Sequence, residues 1–249
     1  MLFVTAFSNH GFLSQNPLSA QVLHCLGLFV FFVIPCLIIL IPVRFLTRLP
    51  SFVFRKLLHF LAFTCVTLMI LEAENWQAAA LAAVVIAVIV YPALAVVENA
   101  PWFGNLFVQK SPGEIKRSML LLFFMFALLI SVSWGLFGQP VLAAAAILMW
   151  GTGDAAAALV GIPFGRNKVR SRFTDGKKSW EGSCAMLLVS VLSGMVILCL
   201  VQKLNFPRAP LSAGSGALLG TATELFSPSE YETVTVPVVI AAVLLLCSL

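Results

Sequence analysis

Apolar residues fill this chain in long blocks, and short polar stretches separate one block from the next. Most blocks approach the ~20 residues that a helix needs to cross a ~30 Å hydrocarbon layer. Inside such a layer each backbone N–H and C=O must be satisfied within the segment, so the pattern predicts helices. Spans are expected at Val22 to Val43, Leu57 to Leu71, Trp76 to Val97, Ser118 to Phe137, Pro140 to Gly161, Cys184 to Gln202, Ala209 to Leu225 and Val234 to Leu249. The seventh is rich in Gly, Ser and Thr. Small residues let helices approach closely, so this segment is expected to pack inside the bundle. The fold class is all-α: a polytopic integral membrane helix bundle of about seven to eight transmembrane helices. No repeat, low-complexity tail or long linker divides it, and residues 1–249 read as a single transmembrane domain.

Composition agrees with this reading. Hydrophobic residues make up 61% and charged residues 10% of the chain, with a mean hydropathy of +1.04, well outside soluble usage. The N-terminal stretch has no Lys or Arg before an apolar core and no small-residue cleavage pattern, so no removed signal peptide is expected. Cys25, Cys36, Cys65, Cys184, Cys199 and Cys247 lack Cys-x-x-Cys spacing and read as small core hydrophobes. The histidines are too scattered for a zinc signature.

Charge orients the bundle. With the N-terminus outside, all 15 Lys and Arg except Lys203 and Arg208 fall on one side. Cytoplasmic loops carry that excess, which makes the active face cytoplasmic in a bacterial-type cell membrane. Glu98, Glu114, Asp154, Asp175, Glu181, Glu224, Glu230 and Glu232 gather on the same side, leaving Glu72 and Glu74 opposite. Basic inner loops alone express topology, but acids are not required by that rule. Their company suggests a site for metal and phosphate. A net charge of +5 and a pI near 9.0 agree with an anionic lipid or a nucleotide. The cations lie too close to membrane ends to form a nucleic-acid surface.

Most of the polarity is concentrated between spans five and six. Gly151-Thr152-Gly153-Asp154 lies in an apolar span, so its glycine spacing is not a dinucleotide fingerprint between strand and helix. Gly176-Lys177-Lys178-Ser179 lacks the preceding glycine and the strand context of a Walker loop. Glycines at 151, 153, 161 and 165 permit close backbone approach to a ligand, and Arg166, Lys168, Lys177 and Lys178 can neutralise phosphate oxygens. Asp154 and Glu181 can hold Mg²⁺, which takes one or two carboxylates and shares its other positions with phosphates and water. Ser179 can cap the sixth helix, whose N-terminal amides favour an anion. Lys177, Lys178 and Glu181 could instead form helix-start ion pairs, but an unpaired carboxylate at Asp154 inside a span is costly without a function.

Elsewhere, Arg55, Lys56 and His59 share a helix face by their spacing and could point at one pocket, or act as interfacial anchors. Glu114, Lys116 and Arg117 open the fourth span and are equally open to an ordinary helix-start reading. Glu224 ends a glycine-rich span, where a carboxylate faces helices rather than lipid. Glu98, Trp102, Trp134, Trp150 and Trp180 read as interface anchors.

The run Gly153-Asp154-Ala155-Ala156-Ala157-Ala158, Gly161, Gly165-Arg166-Asn167-Lys168, then Lys177-Lys178-Ser179-Trp180-Glu181-Gly182-Ser183 resembles the polyprenol kinases, a family that includes dolichol kinase, phytol kinase and CTP-dependent diacylglycerol kinase. It also resembles phosphatidate cytidylyltransferase, which has a similar Gly-Asp segment and a Lys-Lys-Thr-x-Glu-Gly segment. Arg55-Lys56-Leu57-Leu58-His59 is similar to the Arg-Lys-x-x-His of phytol and dolichol kinases. Glu224-Leu225-Phe226-Ser227 and Glu232-Thr233-Val234-Thr235-Val236-Pro237 are similar to the kinase ending, with Glu232 and Thr233 in place of Asp and Asn. The C-terminal Gly-Gly-x-x-Asp-Arg-x-Asp signature of cytidylyltransferases is absent.

The resemblance implies phosphoryl transfer from a nucleotide, CTP above all, to the hydroxyl of a membrane-dissolved isoprenoid or lipid alcohol. It implies Mg²⁺ at Asp154 with Glu181 or Glu224, and catalytic roles for Asp154, Lys178 and Glu181. Gly153, Gly161, Gly165, Arg166, Lys168, Lys177, Ser179 and Gly182 would line the nucleotide, with Arg55, Lys56, His59, Glu114, Lys116, Arg117, Glu224 and Glu232 as substrate or accessory residues. One alternative is a nucleotidyltransferase of phospholipid synthesis, making CDP-diacylglycerol from CTP and phosphatidate. The other is a transporter with Asp154 as an ion site, which predicts a paired broken helix in an opposite half.

Overall fold

The structure, a computed structural model, describes residues 17–47, 49–100, 103–106, 113–169, 176, 178–204, 208–228 and 231–248. Long helices account for nearly all of them: α1 (Leu18–Leu46), α2 (Ser51–Glu72), α3 (Trp76–Val97), α4 (Glu114–Leu136), α5 (Pro140–Phe164), α6 (Trp180–Leu200), α7 (Arg208–Phe226) and α8 (Glu232–Ser248). The first six are long and apolar enough to cross a membrane. Helix α8 is apolar but only 17 residues long, and α7 is diluted by its small and polar residues. The whole is a polytopic helical bundle.

Local chemistry sets the helix starts. Pro17 and Pro50 precede α1 and α2, and Pro140 opens α5, where a missing N–H costs nothing. Asn75 caps α3 by accepting from Gln77 N at 2.9 Å. Helices α2, α4 and α6 begin at Ser51, Glu114 and Trp180, earlier than the apolar blocks at Leu57, Ser118 and Cys184. Hydropathy marks only the apolar part of a helix, whereas backbone hydrogen bonding continues into the flanking polar turn. Arg55, Lys56, Glu114 and Glu181 therefore project from rigid helix rather than from loop.

Helix α5 is central, packed against α2, α6 and α8. Ala143, Ala144, Ala145 and Ala146 are fully buried in it. In a bilayer the apolar effect does not drive helices together, so close packing and buried hydrogen bonds must do so. Ser190 Oγ of α6 donates to Met149 O at 2.9 Å, and Thr152 Oγ1 lies 2.9 Å from Ser193 Oγ. A Cβ on Gly182 would stand 2.9 Å from Ala157 O and 3.1 Å from the Cα of Gly161. Only paired glycines allow α5 and α6 to cross that closely.

Helix α7 buries Ala209, Ser212, Ala213, Gly216, Ala217 and Gly220, and packs this small-residue face on α6 and α8. Leu211, Leu218 and Leu219 on its other side are exposed, so the helix lies at the edge of the bundle rather than within it. Helix α1 lies outermost, exposing Leu23, Phe31, Ile38 and Phe45 to the surroundings. Of the cysteines, Cys25 and Cys65 are buried, but Cys36, Cys184 and Cys247 are exposed, so they are not core residues as expected. From Ile130 to Leu136, α4 widens into π-helix, with Phe137 N bonded to Val132 O at 3.3 Å. Gly135 meets the Trp76 ring in this stretch, a feature without a hydropathy signature.

Candidate functional site

Because the helices alternate in direction, the starts of α2, α4, α6 and α8 meet the ends of α3, α5 and α7 at one end of the bundle. A cavity of about 230 Å³ opens there between α2, α4, α5 and α8, with Met186 of α6 and Glu224 of α7 completing its wall. Its lining is graded. Arg55, Lys56 and His59 precede Phe63 on α2, Glu114 and Ser118 precede Leu122 on α4, Asp154 lies one turn from Trp150 on α5, and Glu232 and Thr233 precede Val236 on α8. Eight helical residues rise about 12 Å and four about 6 Å, so the walls pass from charge to hydrocarbon over one to two turns. Phe63, Phe126 and Trp150 close the apolar end, with the Phe63 ring edge-on to both partners at 5.0 and 4.6 Å.

The charged groups of this cavity are paired across helices. Lys56 Nζ donates to Asp154 Oδ2 at 2.6 Å, linking α2 to α5. The carboxylate in the span thus has a cation for company, and the expectation of an unpaired acid is corrected. Arg55 Nη1 meets Glu114 Oε1 at 3.3 Å, bridging α2 and α4. Lys178, just before α6, turns toward the junction of α7 and α8. Its ammonium donates to Glu224 O and to Ser227 O, the latter at 2.6 Å, contacts the Glu232 carboxylate, and lies 3.8 Å from Glu224 Oε1. Lys178 does not line the cavity, although Glu224 and Glu232 do.

Several residues singled out in the sequence stand apart from this cavity. Glu181 accepts from Asn167 N at 3.0 Å and Asn167 Nδ2 at 2.8 Å, and so closes the turn after α5. Antiparallel helices explain its separation from Asp154. Gly182 touches α5 at Gly161, and Asp154 lies seven residues deeper, about 10 Å along the axis. Ser179 caps α6, accepting from Gly182 N at 3.3 Å, and pairs with Lys168 in an isolated antiparallel bridge. Arg166 and Lys168 are exposed on this turn, while Lys177, Asp175 and Glu230 lie outside the described residues, as does Trp102.

The glycines serve packing. A Cβ at Gly151 would collide with the Phe63 ring, one at Gly153 with Ser190 Oγ, and one at Gly165 with Gly161 O and Ser179 Oγ. None of the glycines at 151, 153, 161, 165 and 182 lines the cavity, so their expected approach to a ligand gives way to helix crossing. Lys116 pairs with Glu98 at 2.7 Å, and Glu98 also accepts from Gly113 N at 2.5 Å, so Glu98 joins α3 to α4 rather than anchoring at an interface. Arg117 Nε donates to Gly113 O at 3.3 Å in the same turn. Trp150 is likewise no interface anchor, being buried at the cavity floor.

Sequence reading missed Thr233, Ser118, Phe63, Met119 and Met186 as cavity residues. Spacing offered one usable signal: Ser118 and Phe63 each follow a charged residue by one or two turns on the same helix face. The suitability of the site for a divalent cation rests on its acids. Among the described residues no three His, Cys, Asp or Glu side chains converge as a ready-made metal cluster. Glu224 Oε2, however, is buried and has no hydrogen-bond partner among the described residues. It shares the cavity with Asp154 and Glu232, a donor set that suits a hard cation completed by phosphate and water. Glu181 does not fit that set.

Fold and site together define a polytopic helical membrane protein with one amphipathic cavity at the charged end of its bundle. The chain is similar to a phytol kinase of Synechocystis sp. (strain ATCC 27184 / PCC 6803 / Kazusa), at 38% identity over 101 residues. The match covers 40% of this chain and 42% of that kinase, and it supports a relationship to the polyprenol and phytol kinases. No family model matches the chain. No solved structure matches it either.

Proposed function

We propose that this protein is a membrane phosphotransferase that moves the γ-phosphoryl group of a nucleotide, CTP in the first instance, to the hydroxyl of an isoprenoid alcohol. The observation that carries this reading is the gradient of the cavity, acidic and basic at its mouth and lined by Phe63, Leu122, Trp150, Met186 and Val236 below. A soluble nucleotide and a membrane-dissolved alcohol can meet only where polar and apolar surfaces adjoin. The likeness to a phytol kinase supports the same donor-to-alcohol chemistry.

Phosphoryl transfer asks a protein mainly for positioning and charge neutralisation. In the proposed step the alcohol oxygen bonds to the γ-phosphorus while the bond to the β–γ bridging oxygen breaks, releasing CDP, and the alcohol proton passes to Asp154. Lys56 orients that carboxylate by its 2.6 Å contact. Arg55 and Lys56 are the cavity's cations and neutralise phosphate oxygens. Asp154, Glu224 and Glu232 would hold Mg²⁺, which supplies charge compensation for the triphosphate. The site end of the bundle is the cytoplasmic one in this reading, where the nucleotide is available.

Purified protein in lipid nanodiscs, given Mg²⁺ and CTP labelled at either the α or the γ phosphate, tests the reading. Label from the γ position on phytol, farnesol or another isoprenoid alcohol is the expected result. Label from the α position on phosphatidate would instead establish cytidylyl transfer. Labelling of no lipid across a screen that includes undecaprenol and diacylglycerol would sink both readings.

A further inference from the structure

We infer that Lys178 is a positioning residue, a built-in cation that sets Glu224 and Glu232 on the cavity wall, and not a ligand of the transferred phosphate. The inference deepens the functional reading above and rests on it for its kinetic arm. An ammonium carries three N–H donors and no more. Here Glu224 O and Ser227 O accept two of them, the Glu232 carboxylate is held against the ammonium as an ion pair, and Glu224 Oε1 lies at 3.8 Å. The ammonium is thus already engaged by protein oxygens from two helix ends. The side chain is 8% exposed and the lysine does not line the cavity, so a nucleotide there would have to extract it from four protein oxygens.

The location explains what the ammonium does. Glu224 and Ser227 lie at the C-terminal end of α7, where helix carbonyls lack partners and the helix dipole favours a cation. Glu232 opens α8, so one side chain from the approach to α6 joins the end of α7 to the start of α8. It also lies between two carboxylates that would otherwise repel each other. Ser227 Oγ and Thr235 Oγ1, 3.2 Å apart, make a second and weaker tie across the same junction. Removing the ammonium releases the two acids from their places on the wall while Lys56, Asp154 and Arg55 keep theirs.

The experiment uses the full chain in nanodiscs as wild type, Lys178→Ala and Lys178→Arg, each with and without methylammonium. With γ-labelled CTP and an isoprenoid alcohol, Lys178→Ala is expected to lose about 10²-fold in kcat, the cost of a misplaced catalytic group, at nearly constant KM for CTP. Methylammonium entering the vacated socket restores part of that rate. Lys178→Arg, which keeps the charge but overfills the socket, loses kcat at constant KM and gains nothing from the amine; it decides the matter if the alanine variant does not fold. A rise in KM for CTP with kcat preserved, the signature of lost ground-state binding, would overturn the inference. Hydrogen exchange separates this outcome from failure of the functional reading. If the wild type phosphorylates no alcohol, faster exchange confined to residues 224–227 and 232–236 in Lys178→Ala, reversed by methylammonium, still supports the positioning role, and unchanged exchange there rejects it.

Discussion

Lys56 and Asp154 meet at 2.6 Å although 98 positions separate them in the chain. Both side chains are partly shielded, at 14% and 33% exposed, so the pair ranks between a surface bridge and a buried one. Lys56→Ala leaves the carboxylate among helices without its cation and is expected to destabilise the fold by about 1–3 kcal/mol. Replacing both partners together, as Lys56→Met with Asp154→Leu, recovers much of that loss, because an apolar pair leaves no charge behind. Unfolding in a denaturing detergent measures both, and equal losses in the single and double variants would contradict the pairing. Asp154→Asn keeps the shape of the side chain and removes its capacity to accept a proton. Transfer should fall by about 10²–10⁴-fold, the usual worth of a general base, with the fold retained. Full activity in that variant would remove Asp154 from the chemistry.

Among the elements, α5 and α6 show how one residue type can have different tolerances. At Gly182 an added Cβ meets backbone, Ala157 O at 2.9 Å and Gly161 Cα at 3.1 Å, and backbone cannot yield without parting the helices. At Gly194 it meets Met149 Sδ at 2.7 Å, on a side chain that can move, and the Ala213 methyl of α7 at 3.1 Å, but no backbone atom. Gly182→Ala should therefore cost about 1–3 kcal/mol, and Gly194→Ala less than about 1 kcal/mol. Ser190→Ala, which removes the hydrogen bond to Met149 O, should cost about 0.6 kcal/mol, the average for an interhelical bond in a membrane. Detergent unfolding would reveal a reversed order of the two glycines. The helix spans were legible because hydropathy sums over neighbours in sequence. The π-helical turn at Ile130–Leu136 was not, because a change of hydrogen-bond register within an apolar helix leaves its hydropathy unaltered.

At the scale of the whole molecule, alternating helices collect the polar groups at one end, and the proposal that this end faces the cytoplasm rests on the positive-inside rule. A cysteine-free chain carrying Gly176→Cys should react with a membrane-impermeant thiol reagent only after the cytoplasmic side is opened. Lys203→Cys, in the connection at the opposite end, should react in intact cells. Labelling of both from the same side would refute the topology. The residues of the candidate site were legible by type and only partly by grouping. Arg55, Lys56, His59, Asp154, Glu224 and Glu232 do come together, whereas Glu181 and the glycines do not line that cavity, because α5 and α6 touch at Gly161 and Gly182 while Asp154 lies two turns deeper along α5.

Sequence alone determined that this protein is a helical membrane bundle and that its acids and bases gather toward one end. Both follow from the cost of exposing backbone and charge to hydrocarbon, a cost that each segment bears by itself. Tertiary structure alone decided which polar groups meet: Lys56 with Asp154, Lys178 with Glu232, and Asn167 with Glu181. The physical reason is that charge pairing depends on distance in space. Helix crossings set that distance, and small residues on several helices at once fix those crossings.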